Sequence, residues 1–191
     1  MAGLTNHKMK TLIYSSFFSL LMLAGCANNN NKSQANTASK PLTSSKKGAP
    51  ADELLDAYIK LKNTFTIDDD QAAAAAGNEL LKAFVKFDQK SLTTEQVKSY
   101  KEIQDDAREQ AEHIGANAGN LVHQREHFDM LSKDMYDLVK LLGTSQPLYV
   151  DRCPMYNNHN GAIWLSEIKE IKNPYMGKSM LTCSAIKEEL K

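Results

Sequence analysis

The chain has 191 residues, and its 23 Lys and Arg residues balance its 23 Asp and Glu residues, so the formal net charge is zero. This balance argues against a nucleic-acid-binding protein, which usually carries a basic excess, and the length favours one domain with at most a tail. With 42% hydrophobic residues the chain can form a core, which argues against global disorder, and its three Cys are too few for a disulfide scaffold.

The N-terminal segment has the features of an export signal. Two Lys precede an uncharged, mostly apolar run over residues 11–23, which is shorter than the roughly 20 residues of a membrane-spanning helix. The run ends in Leu23-Ala24-Gly25-Cys26, which resembles a bacterial lipobox, in which the Cys is diacylated and becomes the first mature residue. We therefore expect a lipoprotein signal peptide over 1–25 and a lipidated Cys26. A plain signal peptide with a chance Cys is the alternative.

Residues 27–49 have the composition of a linker. They contain a tract of Asn and are otherwise rich in Ser, Thr, Lys and Ala, without apolar periodicity. Such a segment buries too little surface to compensate for the entropy lost on ordering. We expect residues 26–49 to form a flexible tether that holds an exported protein to the cell-envelope membrane, facing the periplasm.

Four helices are predicted between residues 50 and 146, which favours an all-α domain. The first covers about 52–64, the second follows the acidic run 68–70 and reaches Phe87, the third begins at Thr93, and the fourth runs from Leu121 to Leu142. Gln96 follows Thr93 by three residues, which is the spacing of a capping box. Short connections between the helices predict an antiparallel up-down four-helix bundle.

The remaining segment, 147–191, is predicted to be loop-rich, with little regular structure, and to complete a single domain over 50–191. Residues 147–150 indicate a short extended piece, and 157–161 and 173–177 are turn-rich. A last short helix is expected from around Met180 and Cys183 to near Lys191. A loop-rich segment of this length on a helical bundle usually has a functional reason.

Two short motifs in this segment mirror each other. Cys153-x-Met155 and Met180-x-x-Cys183 each combine a thiol with a thioether. These soft donors suit copper(I) or silver better than hard cations, and structural zinc rarely uses Met. The pattern therefore indicates a site for a soft metal ion.

A disulfide is the alternative interpretation of the same two Cys residues. Disulfides persist in exported proteins, and the Met residues would then only fill gaps in the packing. Closing a loop of about 30 residues would contribute roughly 3 kcal/mol. The residues alone leave both interpretations open, and the two states need not exclude each other over a redox cycle.

Histidines offer further candidate ligands. His123 and His127 are four residues apart, so they lie on one face of the fourth helix and can share a metal, although this spacing is also common on solvated surfaces. His113 lies near the end of the third helix without an evident partner, and His159 is expected to be solvated in its turn. The sequence has no nucleophile–base or phosphate-loop motif, so we expect no enzyme.

Several of these motifs together resemble a bacterial domain of unknown function over about residues 51–188. They are His127-Phe128-x-x-Leu131-Ser132, Cys153-Pro154-Met155, Trp164-Leu165-Ser166, Asn173-Pro174-Tyr175 and Met180-Leu181-x-Cys183. The family occurs as small exported lipoproteins and at the C-terminal end of the periplasmic adaptor (membrane-fusion) subunits of heavy-metal efflux pumps. Ser184 departs from the family, which commonly has Gly there, and this affects the backbone beside Cys183 rather than a donor.

The resemblance implies a periplasmic domain that handles copper or related heavy metals, with His127, Cys153, Met155, Met180 and Cys183 as ligands. We therefore expect a lipid-anchored protein that binds copper(I) or another soft ion, for sequestration or for transfer to an efflux complex or a metallochaperone. The alternative is a non-catalytic interaction lipoprotein in which a Cys153–Cys183 disulfide stabilises the domain.

Overall fold

Four helices and three strands follow one another in the described part of the chain. The computed structural model describes residues 48–191, with helices α1 (Asp52–Thr66), α2 (Asp70–Lys86), α3 (Thr94–Ala116) and α4 (Leu121–Leu142), then strands β1 (Leu148–Cys153), β2 (Ala162–Ser166) and β3 (Ala185–Leu190). Single turns of 3-10 helix occupy Gln89–Ser91 and Gly177–Ser179. The predicted signal peptide, the lipidated Cys26 and nearly all of the predicted tether lie outside the described residues.

The helices begin and end where local hydrogen bonds satisfy their terminal backbone groups. At the start of α3, the Thr93 hydroxyl accepts from the Gln96 N–H at 3.2 Å, and the Gln96 side chain accepts from the Thr93 N–H at 3.0 Å. This reciprocal pair confirms the predicted capping box. Asp69 caps α2 by accepting from the Ala72 N–H at 2.9 Å. The four predicted helices are confirmed, and α4 ends before Gly143 as expected.

Each helix packs against the next one along the chain. Between α2 and α3, Gly77 permits a close approach, because a Cβ atom there would lie only 3.0 Å from the Ala111 carbonyl oxygen and from Ile114 Cγ2. The up-down direction of the four helices stays a prediction. Within residues 48–191, no helix is both long enough and apolar enough to cross a bilayer.

The C-terminal segment is more regular than predicted. Its three strands form an antiparallel sheet in the order β2-β1-β3, so the prediction of a loop-rich segment on an all-α domain is wrong. The expected last helix is instead β3, whose Lys and Glu residues favour a helix when only local preference is considered. Pairing with β1, which places Val150 opposite Glu188, overrides that preference. The domain therefore combines a helical part with a small sheet.

A buried hydrogen-bond network joins the helices to the sheet. The Tyr58 hydroxyl of α1 lies 2.8 Å from Ser132 Oγ of α4 and accepts from the Leu165 N–H of β2 at 3.2 Å. The Tyr175 hydroxyl donates to the Ile163 carbonyl of β2 at 2.6 Å and lies 3.3 Å from Ser132 Oγ. Burial raises the pKa of both tyrosines, so they stay protonated. The network fixes β2, and with it the sheet, on α1 and α4.

Candidate functional site

The pairing of β1 with β3 explains why the two Cys motifs meet. Cys153 is the last residue of β1, and the residue before it, Arg152, pairs with Ala185, the first residue of β3. One further step in this antiparallel register places Cys153 opposite Ser184 and next to Cys183. Consequently the Cys-x-Met motif that leaves β1 faces the Met-x-x-Cys motif that precedes β3.

Three of the predicted sulfur ligands lie together. The Cys183 thiol is 3.6 Å from Met155 Sδ, and the Cys153 thiol is within hydrogen-bonding reach of Cys183. Both Cys residues carry free thiols. Partial removal from water raises the pKa of the Cys183 thiol, and the neighbouring Cys153 raises it further. Cys153 is buried whereas Met155 is 41% exposed, so this sulfur group extends from the core to the surface.

Met180 belongs to the same turn as Cys183, because the Cys183 N–H donates to the Met180 carbonyl at 3.1 Å. The turn is held by the buried side chain of Asn173, whose amide donates to the Cys183 carbonyl at 2.6 Å and whose Oδ1 accepts from the Tyr175 N–H at 2.9 Å. The Asn173 N–H also donates to the Leu181 carbonyl at 2.7 Å. Asn173 is therefore a positioning residue for the second Cys motif.

A surface cleft of about 490 Å³ borders Cys183. Arg152, Pro154 and Lys187 contribute to its lining. The cleft gives solvent a route to the Cys183 thiol.

The polar and ring contacts of His127 lie on α3 and α4 rather than on the C-terminal segment. Its Nδ1 is 2.7 Å from Gln110 Oε1, and its Nε2 is 3.2 Å from the Nε2 of His123. Its ring also stacks on that of His113, with the ring centroids 4.3 Å apart and the planes within 1° of parallel. The structure thus groups His127 with two other imidazoles, whereas Cys153, Met155 and Cys183 form a separate sulfur group.

The three imidazoles form a cluster that could hold a metal ion. One ring nitrogen of each of His113, His123 and His127 lies within 4.8 Å of those of the other two. Partial burial lowers the pKa of His127, and the neighbouring His113 and His123 lower it further. The neutral imidazole that this favours is the form that binds metals.

The sequence interpretation placed two members of this cluster, His123 and His127, on one helix face and missed the third, His113. The spacing of His123 and His127 shows that they share a face, but nothing local connects them to His113 or Gln110. The signal that finds His113 is the short connection between two long helices, which places the last turn of α3 beside the first turns of α4. His159, expected to be solvated, is exposed in its turn.

The helical part of the chain matches a known family. Residues 54–147 match the model of a family described as "Protein of unknown function (DUF3347)". The match supports the predicted resemblance to a domain of unknown function, and its range includes the three clustered His residues but ends before β1 and the sulfur group. No curated protein and no solved structure matches the chain.

Proposed function

We propose that this protein binds copper(I), or a related soft metal ion, through Cys153, Met155 and Cys183, with Met180 available as a fourth donor. The observation that carries the proposal is the 3.6 Å contact between the Cys183 thiol and Met155 Sδ, with the Cys153 thiol as their neighbour. Thiolates and thioethers favour soft monovalent ions over hard cations.

The chemistry of the donors fits such an ion. Because the pKa of the Cys183 thiol is raised, ion binding must release a proton from it. Asn173 holds the backbone of Cys183 through a 2.6 Å hydrogen bond, so ligand placement does not depend on ordering a free loop.

A binding role suits a lipid-anchored protein in the periplasm. We infer anchoring from the lipobox that ends at Cys26, and a link to heavy-metal efflux from the resemblance of the tail motifs. The exposed thioether of Met155 supports transfer as well as sequestration, because a partner such as an efflux subunit or a metallochaperone can contact it before reaching the buried Cys153. The proposed role of the protein is therefore that of a metal carrier rather than an enzyme.

Titration with cuprous ion against a competing chelator tests this proposal. The full chain carrying Cys26→Ala, which removes the third thiol, is reduced and compared with the same chain carrying Cys153→Ser and Cys183→Ser. We expect the double substitution to weaken binding by at least about 100-fold, or about 2.7 kcal/mol. Met155→Leu should weaken it by a smaller factor. Met130→Leu is the matched control, because Met130 on α4 is also 41% exposed. Equal affinity of the reduced chain and its double variant would refute copper binding at this site.

The alternative function also has support, because the same proximity of Cys153 and Cys183 suits a disulfide in an oxidising compartment. In that case the protein is a non-catalytic interaction lipoprotein. Counting thiols on protein isolated from the periplasm separates the two functions. Two free thiols support the metal site, whereas no free thiol and resistance to mild reductant support a permanent disulfide.

A further inference from the structure

The histidine cluster belongs to different elements from the sulfur group and offers a different type of donor. We propose that His113, His123 and His127 form a second metal site, selective for a borderline divalent cation such as zinc. This site does not depend on the proposed copper(I) site, because its donors are all on α3 and α4. Imidazole nitrogen suits zinc and divalent copper, whereas thiolate and thioether suit the cuprous ion.

The spacing of two nitrogens matches tetrahedral coordination. His123 Nε2 and His127 Nε2 are 3.2 Å apart. Zinc–nitrogen bonds of about 2.0–2.1 Å at tetrahedral angles place two ligand nitrogens about 3.3 Å apart. The two rings are nearly perpendicular, at 82°, so both Nε2 atoms can direct a lone pair at one point without the rings colliding.

Neighbouring side chains leave these same nitrogens available. Gln110 Oε1 only accepts, so its 2.7 Å contact assigns the proton of His127 to Nδ1 and leaves Nε2 as the ligand. Glu126 Oε2 lies 3.4 Å from His123 Nδ1 and favours a proton there. Without an ion, His123 donates from Nε2 to His127. Ion binding moves that proton from Nε2 to Nδ1, beside Glu126, and leaves Nε2 free to coordinate the ion. Gln110 and Glu126 are therefore the partners that orient the ligands.

His113 supplies the third donor. Its side chain is 46% exposed, so its ring is free to turn away from the stack on His127. One of its ring nitrogens already lies within 4.8 Å of a ring nitrogen of His123 and of His127, so a small rotation brings it to the shared point. Glu109 Oε1 lies 4.0 Å from His113 Nε2 and adds negative charge beside the cation. Three imidazoles leave a fourth position for water or for a ligand from a partner.

The backbone beneath the cluster is already fixed. The Gln124 amide donates to the Ile114 carbonyl at 3.1 Å and to the Asp70 carbonyl at 3.0 Å, which joins the first turns of α4 to the end of α3. Asn117 caps the end of α3 by donating to the His113 carbonyl at 2.8 Å. Binding therefore requires mainly rotamer changes rather than movement of the helices.

Zinc titration of the full chain without its thiols tests the site. The chain carries Cys26→Ala, Cys153→Ser and Cys183→Ser, and a chromophoric chelator competes for the metal. We expect one-to-one binding that His123→Ala and His127→Ala each weaken by about 100-fold, and that His113→Ala weakens less. His159→Asn, a change at an exposed His that also has a left-handed backbone, is the matched control and should have no effect.

Two further readouts separate ligands from structural residues. Gln110→Ala should weaken zinc binding by about tenfold, whereas Gln110→Glu, which keeps the acceptor oxygen, should restore it. In imidazole nitrogen NMR of the thiol-free chain with all its His residues intact, zinc should shift the Nε2 resonances of His123 and His127. The site is overturned if the thiol-free chain binds no zinc, if the His substitutions leave the affinity unchanged, or if the Nε2 resonances do not move. Because the thiols are absent, failure of the copper(I) proposal leaves this result unaffected.

Discussion

Arg125 and Asp68 form a partly buried ion pair, in which Arg125 Nη2 lies 2.6 Å from Asp68 Oδ1. Arg125 Nε also donates to the Pro174 carbonyl at 2.7 Å, and Asp68 Oδ2 accepts from the Lys178 N–H at 3.1 Å. The pair therefore ties the connection between α1 and α2 to α4 and to the turn that precedes Met180.

We expect Asp68→Asn to lower the free energy of unfolding by about 1–3 kcal/mol at neutral pH, because Arg125 then loses a charged partner. Asn tolerates the left-handed backbone of Asp68, whose φ is 57°, so the change isolates the charge. Urea denaturation measures the loss. Glu79→Gln, which removes an exposed ion pair with Lys82, is the control and should change stability little.

The same substitution has a predicted pH signature. Partial burial opposes ionisation of Asp68, but hydrogen bonds from Arg125 and from the Lys178 N–H hold its pKa below the ordinary 3.8. The stabilisation is therefore complete above the unfolded-state pKa and is lost as the pH falls through the lowered folded-state value. The stability gap between wild type and Asp68→Asn should narrow on acidification to about pH 3. A constant gap would show that the charge of Asp68 does not stabilise the fold.

Gly177→Ala should destabilise the domain more than Gly119→Ala does. Both glycines have positive φ, 52° and 89°, which costs Ala about 1–2 kcal/mol. A Cβ at Gly177 would in addition overlap Asp68 Oδ1 and Arg125 Nη2, whereas a Cβ at Gly119 meets no heavy atom of the described residues within 4 Å. Urea denaturation of the two variants measures the difference. Equal losses of unfolding free energy would show that overlap with Asp68 and Arg125 adds no cost at Gly177.

Tyr58→Phe and Tyr100→Phe should change the stability of the domain by different amounts or in opposite directions. The Tyr58 hydroxyl bonds Ser132 and accepts from Leu165, so its removal should cost about 1–3 kcal/mol. The buried Tyr100 hydroxyl has no hydrogen-bond partner within residues 48–191, so its removal should be neutral or stabilising. Thermal denaturation of the two variants tests whether the network, rather than tyrosine burial in general, stabilises the sheet.

Asp151→Asn should stabilise the protein at neutral pH. Asp151 is fully buried, neither of its oxygens has a hydrogen-bond partner among residues 48–191, and burial raises its pKa to about 6 although Lys62 opposes the shift. Ionisation of Asp151 therefore lowers the free energy of unfolding, on the order of 2–3 kcal/mol above pH 6. This loss vanishes below about pH 4, where the carboxyl is protonated in both states. The difference in melting temperature between variant and wild type should be positive at pH 8 and approach zero as the pH falls through that window.

Exposed Asp105 on α3 provides the control for this pH experiment, since Asp105→Asn changes the net charge equally. It should show no comparable narrowing. Ionisation of buried Asp151 is excluded as a destabilising effect if Asp151→Asn is less stable than wild type at pH 8. It is also excluded if the stability of the two variants changes with pH in the same way.

Cys26→Ala should abolish lipid attachment. The lipobox predicts that the Cys26 sulfur carries the lipid, so the variant should lose incorporation of labelled palmitate and leave the membrane fraction. Cys153→Ser is the control and should keep both properties. Persistence of the label in Cys26→Ala would exclude this residue as the anchor.

The helices could be predicted because their signals are local. Thr93 and Gln96 alone define the start of α3, and the apolar periodicity defines its buried face. Strand β3 could not be predicted in the same way, because Ala185–Leu190 contains residues with good helix propensity and becomes a strand only by pairing with β1. Tertiary pairing decided its structure, and a single sequence gives no direct signal for that pairing.

The candidate sites show the same difference between local sequence signals and tertiary contacts. Mirrored motifs predicted that Cys153 and Cys183 meet, and the register of β1 and β3 supplies the physical reason. His127 was grouped with them through the resemblance, whereas its hydrogen bonds join it to His123 and Gln110. His113 was missed because its partner lies across the α3–α4 connection, which spacing within one helix does not reveal.

The separation of contacts along the chain predicts an order for folding. Gln110 and His127 are only 17 positions apart and meet once the α3–α4 hairpin closes. Met155 and Cys183 are 28 positions apart and meet only after β1 has paired with β3. Local contacts form sooner than distant ones because they close smaller loops. If the chain is exported as proposed, its histidine cluster would form while its thiols are still unprotected, so oxidation before sheet formation would compete with assembly of the sulfur group.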